Sequence, residues 1–192
     1  TYLKNFYDYF TNEFFIDFTR NYFKEEPILA ELEILVSPHS KNDTFNNFKG
    51  SQCWHSDFDD SKILKFFVYL EDVNEENGPL QLIPKFKSKN LLIEKNYHWG
   101  QHDDSIYPED SNEYASMVAP EGSIVIADTA NCLHRGSRNV NKRRILLYAT
   151  FLTKTSFRLT PIHWLLPKTL SDLLPASELL PTTYLSKRLS NF

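Results

Sequence analysis

The 192-residue chain lacks several features that would assign it to a specialised class of protein. No apolar run approaches the roughly 20 residues that span a bilayer, so we expect no membrane association. The net charge of −4 gives no basic excess of the kind that binds nucleic acid. The two cysteines cannot build a dense disulfide framework, and their scarcity fits a reducing cytoplasm.

The composition of the chain is typical of one globular domain. Hydrophobic residues make up 41% of the chain and aromatic residues 15%, which is enough to bury a substantial core. Residues 1–24 carry aromatic side chains at mostly helical spacing. They predict an amphipathic helix that covers one side of a sheet and is interrupted or ended before Pro27. We predict a single domain over 1–192, with its core at about 29–153 and an extension of short helices and turns at 154–192.

Short β-rich runs separated by turn signals dominate the chain after Pro27. The predicted strands are Leu29–Val36, Lys62–Glu71, Leu80–Pro84, Ala115–Ala119, Ser123–Asp128 and Arg144–Leu152. Because few helix-length patterns separate these runs, they predict an all-β sandwich or barrel. The polar stretch 85–114 interrupts the pattern and is either a lid or a plain surface loop, with Trp99 and His102 as candidate substrate contacts.

The strongest functional signal is His55-Ser56-Asp57 taken together with His134. Residues two apart on a strand share a face, so we expect His55 and Asp57 to reach one metal ion, with His134 arriving from another strand. Two imidazoles and one carboxylate suit non-haem ferrous iron and leave positions open for oxygen chemistry. A second His-x-Asp pair, which begins at His102, lies in the polar stretch and lacks strand geometry.

An arginine downstream of the third candidate ligand predicts an anion site in the same cavity. We expect His134 and Arg144 to lie on neighbouring strands and to face one cavity. A guanidinium offers two parallel donors to a carboxylate, as a dicarboxylic cosubstrate requires. Because a shift of one residue exchanges the faces of a strand, Arg143 is the alternative to Arg144.

The order of these features resembles the phytanoyl-CoA dioxygenase family over about residues 50–153. The features are His-x-Asp, a strand, Asn-Gly-Pro-Leu with Ile-Pro, a strand that starts after glycine, Asp-Thr, His-Arg-Gly, and an arginine about ten residues later. The run from Gln52 to Phe58 is also similar to the same segment of ectoine hydroxylases, which are members. The resemblance implies an iron(II)- and 2-oxoglutarate-dependent oxygenase on a double-stranded β-helix, the cupin-like jelly roll, with flanking helices at both termini.

The same resemblance implies roles for the candidate residues. His55, Asp57 and His134 would ligate iron, and Arg144 would bind the distal carboxylate of 2-oxoglutarate. Further candidates for cosubstrate contact are Lys65, Tyr69, Thr129 and Ser137. Lys65 and Tyr69 share one face of their strand, although a flanking lysine with its ammonium in solvent is the plainer interpretation. Because halogenating relatives carry a small residue in place of Asp57, the expected reaction is hydroxylation of a small-molecule substrate by O2, with release of succinate and CO2.

Two other interpretations remain open from the sequence. Cys53-x-His55 and Cys132-x-His134 place each cysteine on the same strand face as its histidine, so a zinc site with two Cys and two His ligands is feasible. The plainer role for both cysteines is that of small buried hydrophobes. The second interpretation is a catalytically inactive cupin-like barrel that only binds a ligand, which an amino-terminal region shorter than usual for the family would favour.

Overall fold

Two antiparallel sheets form the body of the chain in a computed structural model that describes residues 2–37, 48–94, 101–102, 114–138 and 141–156. The strands are β1 (Ile28–Ser37), β2 (Trp54–His55), β3 (Leu64–Tyr69), β4 (Gln81–Leu82), β5 (Gln101–His102), β6 (Ala115–Ser116), β7 (Ile124–Asp128), β8 (His134–Arg135) and β9 (Arg144–Leu152). The helices are α1 (Tyr2–Phe10), α2 (Glu13–Phe23) and α3 (Lys85–Glu94), and 3-10 turns lie at Gly50–Gln52 and Glu75–Asn77. One sheet has the strand order β1-β9-β3-β7 and the other β5-β2-β8-β4-β6.

The amino-terminal helices cover the outer face of the four-stranded sheet, as the aromatic spacing predicts. Phe10 and Phe15 are buried against Phe66 of β3, with ring centroids 6.3 and 5.1 Å from the Phe66 ring. The predicted interruption lies between the two helices, where the Asn12 side chain accepts a hydrogen bond from the Phe15 N–H at 3.3 Å. This contact begins α2 because it satisfies a backbone donor that the first turn of a helix leaves free.

The alternation of β3 divides the protein into an outer and an inner layer. Leu64 and Phe66 pack outward against the helices, whereas Phe67 and Tyr69 join Leu146 in the space between the two sheets. The opposite face of the five-stranded sheet packs through another cluster, in which buried Trp54, Ile83 and Leu133 contact partly buried side chains of α3 and Tyr114. The sheets therefore enclose the inner layer, and helices lie on both outer sides.

The structure corrects part of the interpretation of the stretch 85–114. Its first ten residues form α3, and Ser88 anchors this helix to the sheet because its hydroxyl donates to the Ile83 carbonyl and accepts from the Leu133 N–H, each at 2.9 Å. The helix shows almost no amphipathic periodicity in sequence, so the pattern gave no signal for it. Residues 95–100, 103–113 and 157–192, which include Trp99 and most of the predicted carboxy-terminal extension, lie outside the described residues.

The predicted strands are otherwise found close to their expected bounds. Arg144–Leu152 is confirmed at both ends, the strand predicted at Leu29–Val36 is one residue longer at each end, and the other four are shorter than predicted. The metal motif predicted strands at His55 and His134 without bounds, and β2 and β8 are found there. The expectation that the pair beginning at His102 lacks strand geometry is wrong for His102 itself, which lies on β5; a run of two residues shows no alternation that could have indicated this strand. None of the helices in the described part of the chain is long and apolar enough to cross a membrane.

We expect Phe66→Ala to lower the free energy of unfolding by roughly 3–5 kcal/mol, because it leaves a cavity beneath both amino-terminal helices. Phe86→Ala is the matched control, since the Phe86 side chain is 74% exposed whereas Phe66 is fully buried. The control should cost no more than about 0.5 kcal/mol. Urea denaturation of both variants measures the difference, and equal costs would contradict the assigned core.

Candidate metal and anion site

Two short strands bring the predicted metal ligands together. β2 and β8 pair antiparallel with His55 directly opposite His134, and the two imidazole centroids are 4.1 Å apart. Asp57 follows the end of β2, where its N–H donates to the Thr129 carbonyl at 2.9 Å. One ligand atom from each of the three side chains lies within 4.8 Å of the others. The expected grouping is present, but Asp57 reaches it from an irregular segment and not through strand alternation.

Backbone contacts orient both imidazoles. Nδ1 of His55 lies 2.8 Å from the Cys53 carbonyl oxygen, and Nδ1 of His134 lies 3.0 Å from that of Cys132. A carbonyl only accepts, so each Nδ1 carries the proton and donates, which leaves the Nε2 lone pairs free for a metal. Both Nε2 atoms face the Asp57 carboxylate, at 3.9 Å from His55 and 4.0 Å from His134.

The electrostatic environment keeps His134 and Asp57 in the protonation states that a metal requires. Burial and the neighbouring His55 lower the pKa of His134 to about 3, so that imidazole is neutral at pH 7. Burial alone would raise the pKa of Asp57, but His134 and Lys65 hold it well below its usual range. A group of two imidazoles and one carboxylate fits a ferrous ion.

The zinc interpretation is wrong, because neither cysteine joins the cluster. Among the described residues, the triad of His55, Asp57 and His134 is the only group of His, Cys, Asp and Glu side chains with that spacing. The Cys53 thiol donates to the Phe48 carbonyl at 3.3 Å, and burial raises the pKa of the Cys132 thiol, which disfavours the thiolate that would bind zinc. The repeated Cys-x-His pattern contributes its backbone carbonyls and not its sulfur atoms.

A cavity of about 230 Å³ is lined by both candidate imidazoles and by Arg144. Its described lining is Leu35, Ser51, His55, Lys65, Phe67, Leu80, His134, Arg135, Gly136, Ser137, Arg144, Leu146 and Tyr148. The expectation that His134 and Arg144 lie on neighbouring strands is wrong, since β8 belongs to the five-stranded sheet and β9 to the four-stranded sheet. The two residues nevertheless line one cavity, because the inner faces of the two sheets oppose each other.

Arg144 is a buried cation in the lining of this cavity. It is 3% exposed, its Nη1 donates to the Gly78 carbonyl at 2.6 Å, and its Nη2 donates to the Ser137 hydroxyl at 2.8 Å. Its Nε is buried without a hydrogen-bond partner, and no carboxylate of the described residues pairs with it. Burial lowers the pKa of Arg144, but a guanidinium stays protonated in proteins. An unpaired buried cation of this kind fits an anionic ligand.

Arg143 points the other way and is not the inward arginine. Its side chain is 65% exposed and its Nε lies 3.4 Å from Glu71 Oε2. The glycine of the His-Arg-Gly motif explains how Arg144 fits, because a Cβ at Gly136 would lie 3.3 Å from both Nη1 and Nη2 of Arg144. The motif therefore provides room for the guanidinium as well as one of the candidate metal ligands.

Ser37 is a residue of the site that no sequence pattern indicates. Its hydroxyl lies 2.9 Å from that of Ser137, which in turn accepts from Arg144, and Ser37 pairs with Arg144 in the register of β1 and β9. Ser137 has a φ of 57°, an uncommon conformation for a residue with a side chain, which directs its hydroxyl into this network. The network holds the guanidinium in place in the lining of the cavity.

The remaining candidates for ligand contact are placed in different surroundings. Lys65 lines the cavity with its Nζ 2.8 Å from Asp57 Oδ2, so its charge is directed at a candidate metal ligand. Tyr69 donates to the Met117 carbonyl at 2.6 Å, and neither Tyr69 nor Thr129 is among the lining residues. His102 is buried opposite Trp54 in the pairing of β5 with β2, also away from the lining.

Comparisons with known proteins agree with this geometry. The sequence profile described as "Phytanoyl-CoA dioxygenase (PhyH)" matches residues 24–145, which is more than half of the chain. Searching the curated proteins gave no match. Similar solved structures include EctD from S. alaskensis with 2-oxoglutarate and 5-hydroxyectoine, at 17% identity and a TM-score of 0.51, covering 77% of this chain and 51% of that one.

A second similar structure is HygX from Streptomyces hygroscopicus with iron bound, at 13% identity and a TM-score of 0.50, covering 75% of this chain and 65% of that one. At these identities the likeness is one of fold. The chain covers less than two thirds of the length of either structure.

Replacing both cysteines with alanine is expected to leave the affinity for Co²⁺ or Mn²⁺ nearly unchanged, because the carbonyls that orient the imidazoles remain. The change should stay well below the roughly 10–100-fold that loss of an orienting contact produces. His134→Ala, measured in parallel by isothermal titration calorimetry, should abolish specific binding. If the double cysteine variant lost the metal while Asp57→Ala retained it, the assigned ligand set would be wrong.

Proposed function

The chain belongs to the phytanoyl-CoA dioxygenase family, and on that premise we propose that it is an iron(II)- and 2-oxoglutarate-dependent dioxygenase. The proposed reaction hydroxylates a small-molecule substrate with O2 and releases succinate and CO2. The observation that carries the proposal is one cavity lined by His55, His134 and Arg144. Asp57 completes the triad beside the two imidazoles, and Arg144 has no carboxylate partner among the described residues.

The roles of the ligand residues follow from their chemistry. His55 and His134 would each donate the Nε2 lone pair that their Nδ1 contacts leave free, and Asp57 would supply the anionic oxygen. Bound ferrous iron supplies the activation of O2 that couples decarboxylation of 2-oxoglutarate to oxidation of the substrate. Because Asp57 occupies the third ligand position, we propose hydroxylation and not halogenation.

Arg144 would anchor the distal carboxylate of 2-oxoglutarate. Its guanidinium is fixed by Gly78 and Ser137, and its unpartnered Nε remains available for the ligand. Pairing with a carboxylate would offset the cost of burying this charge. The apolar side chains of Leu35, Phe67 and Leu146 line the same cavity, so they would exclude water from it.

We also propose the finer fold and domain assignments on this basis. The opposed antiparallel sheets and their likeness to EctD and HygX support a double-stranded β-helix, with a single domain over 1–192 and its core at about 29–153. EctD was crystallised with 2-oxoglutarate and HygX with iron, which supports the same two groups here. An inactive barrel would have no need to keep the metal triad and the buried arginine in one cavity.

The proposed activity predicts succinate formation that depends on Fe²⁺, on 2-oxoglutarate and on each member of the triad. We expect His55→Ala, Asp57→Ala and His134→Ala to reduce succinate production to background, because an incomplete ligand set cannot hold the ion. Succinate is measured by mass spectrometry with a panel of candidate substrates, together with Fe²⁺ content. A wild-type protein that binds iron and 2-oxoglutarate but forms no succinate with any of them would favour the inactive barrel.

Arg144→Met is expected to weaken 2-oxoglutarate binding by roughly 30-fold or more, because it removes one partner of a buried charged contact. Arg143→Met is the matched control, and it should change the affinity by about twofold or less, since that side chain lies in solvent. Titration of the iron-loaded protein with 2-oxoglutarate measures both. Equal effects of the two substitutions would remove Arg144 as the anchor.

A further inference from the structure

The two oxygens of the Asp57 carboxylate have different neighbours. Oδ2 lies 2.8 Å from the Nζ of Lys65 and 4.0 Å from Nε2 of His134, whereas Oδ1 lies 3.9 Å from Nε2 of His55. The side chains of Asp57 and Lys65 are 17% and 18% exposed, so solvent screens their contact only weakly. The carboxylate therefore shares one of its oxygens with a neighbouring ammonium.

The backbone determines the position of this ammonium. Lys65 lies on β3, an interior strand of its sheet, where it pairs with Ala127 of β7 and Thr150 of β9. Its Nζ also lies 5.6 Å from the ring centroid of Tyr148, which limits the side chain on that side. Lys65 is consequently not a flanking lysine that extends into solvent, and its charge has a defined place inside the cavity.

The number of carboxylate oxygens that bind matters in a site with two histidines and one carboxylate. Such a site functions because three protein atoms occupy one side of an octahedral ion and leave the remaining positions open. A carboxylate that binds through both oxygens takes one further position. The cosubstrate and O2 together need every position that the three protein atoms leave, so the second oxygen has to be kept away from the ion.

We propose that Lys65 is a positioning residue that holds Oδ2 of Asp57, so that Asp57 binds the metal through Oδ1 alone. The inference rests on the proposed function, because it concerns the metal that the triad would hold. It gives Lys65 a role different from the cosubstrate contact that the sequence analysis predicted. The same ammonium repels a divalent cation, so the site gains open positions at the expense of metal affinity.

This role predicts two effects of opposite sign in Lys65→Met. The affinity for Co²⁺ should rise about tenfold, because the repelling charge is gone and Oδ2 becomes available. The affinity of the Co²⁺-loaded protein for 2-oxoglutarate should fall about tenfold, because the second oxygen then occupies a position that the cosubstrate needs. The visible absorption of Co²⁺ should change, because a carboxylate oxygen then replaces a water ligand. A merely structural defect would lower both affinities together.

Two further variants accompany Lys65→Met. Lys65→Arg keeps a charged donor and should retain wild-type metal affinity and absorption. Lys62→Met is the matched control, since Lys62 lies three residues away and its Nζ contacts the Phe23 carbonyl at 3.4 Å. If Lys65→Met does not fold, Lys65→Leu serves the same test, because it also removes both the charge and the donor next to Asp57.

Any other outcome contradicts either the proposed function or the positioning role of Lys65. If the wild-type protein binds no Co²⁺ at the triad, the proposed function and the role of Lys65 both fail. If it binds Co²⁺ but Lys65→Met changes neither affinity, or lowers both, only the role of Lys65 fails. If Lys65→Met loses 2-oxoglutarate binding with unchanged Co²⁺ affinity and absorption, then Lys65 contacts the cosubstrate directly, and the positioning role is wrong.

Discussion

The register of β2 against β8 is the constraint on which the rest of the site depends. It sets His55 opposite His134, and the carbonyl two residues before each histidine fixes its ring. These strands contain only two residues each, so neighbouring strands and packing must hold them in place. Trp54, Ile83 and Leu133 provide that support, because they bury the opposite face of the same sheet. The packing of this hydrophobic cluster therefore helps to fix the positions of the Nε2 atoms of His55 and His134.

The charges inside the cavity explain why it is suited to an anion. Asp57 and Lys65 neutralise each other, which leaves Arg144 as a buried charge without a carboxylate among the described residues. A buried charge without a counter-ion is costly, and this cost falls on a residue that lines the cavity. The hydrogen bonds from Arg144 to Gly78 and Ser137 stabilise the guanidinium but do not neutralise it.

The sequence predicts the candidate ligands better than it predicts their arrangement. His55, Asp57, His134 and Arg144 could be selected because their chemical types and order are unusual in combination. The opposition of His134 and Arg144 across two sheets could not, since it depends on pairings between strands too short to show alternation. Ser37 gave no signal either, because its role arises from its register with Arg144 at the end of a strand. Local sequence patterns therefore identify which side chains could bind a ligand, whereas contacts between distant segments determine where those side chains lie.

The absence of a side chain at Gly136 bears on which ligands the cavity would accept. A Cβ at Gly136 would lie 3.3 Å from both Nη atoms of Arg144, so the glycine lets the guanidinium approach the chain directly after His134 and Arg135. The two imidazoles and Arg144 belong to opposed sheets, which fix their relative positions. Under the proposed function, the fixed positions of the two imidazoles and Arg144 would favour a dicarboxylate of one length over shorter and longer homologues. Recognition of the molecule to be oxidised would depend instead on loops, which vary independently of the sheets. On this proposal the substrate could change during evolution while the cosubstrate stays the same.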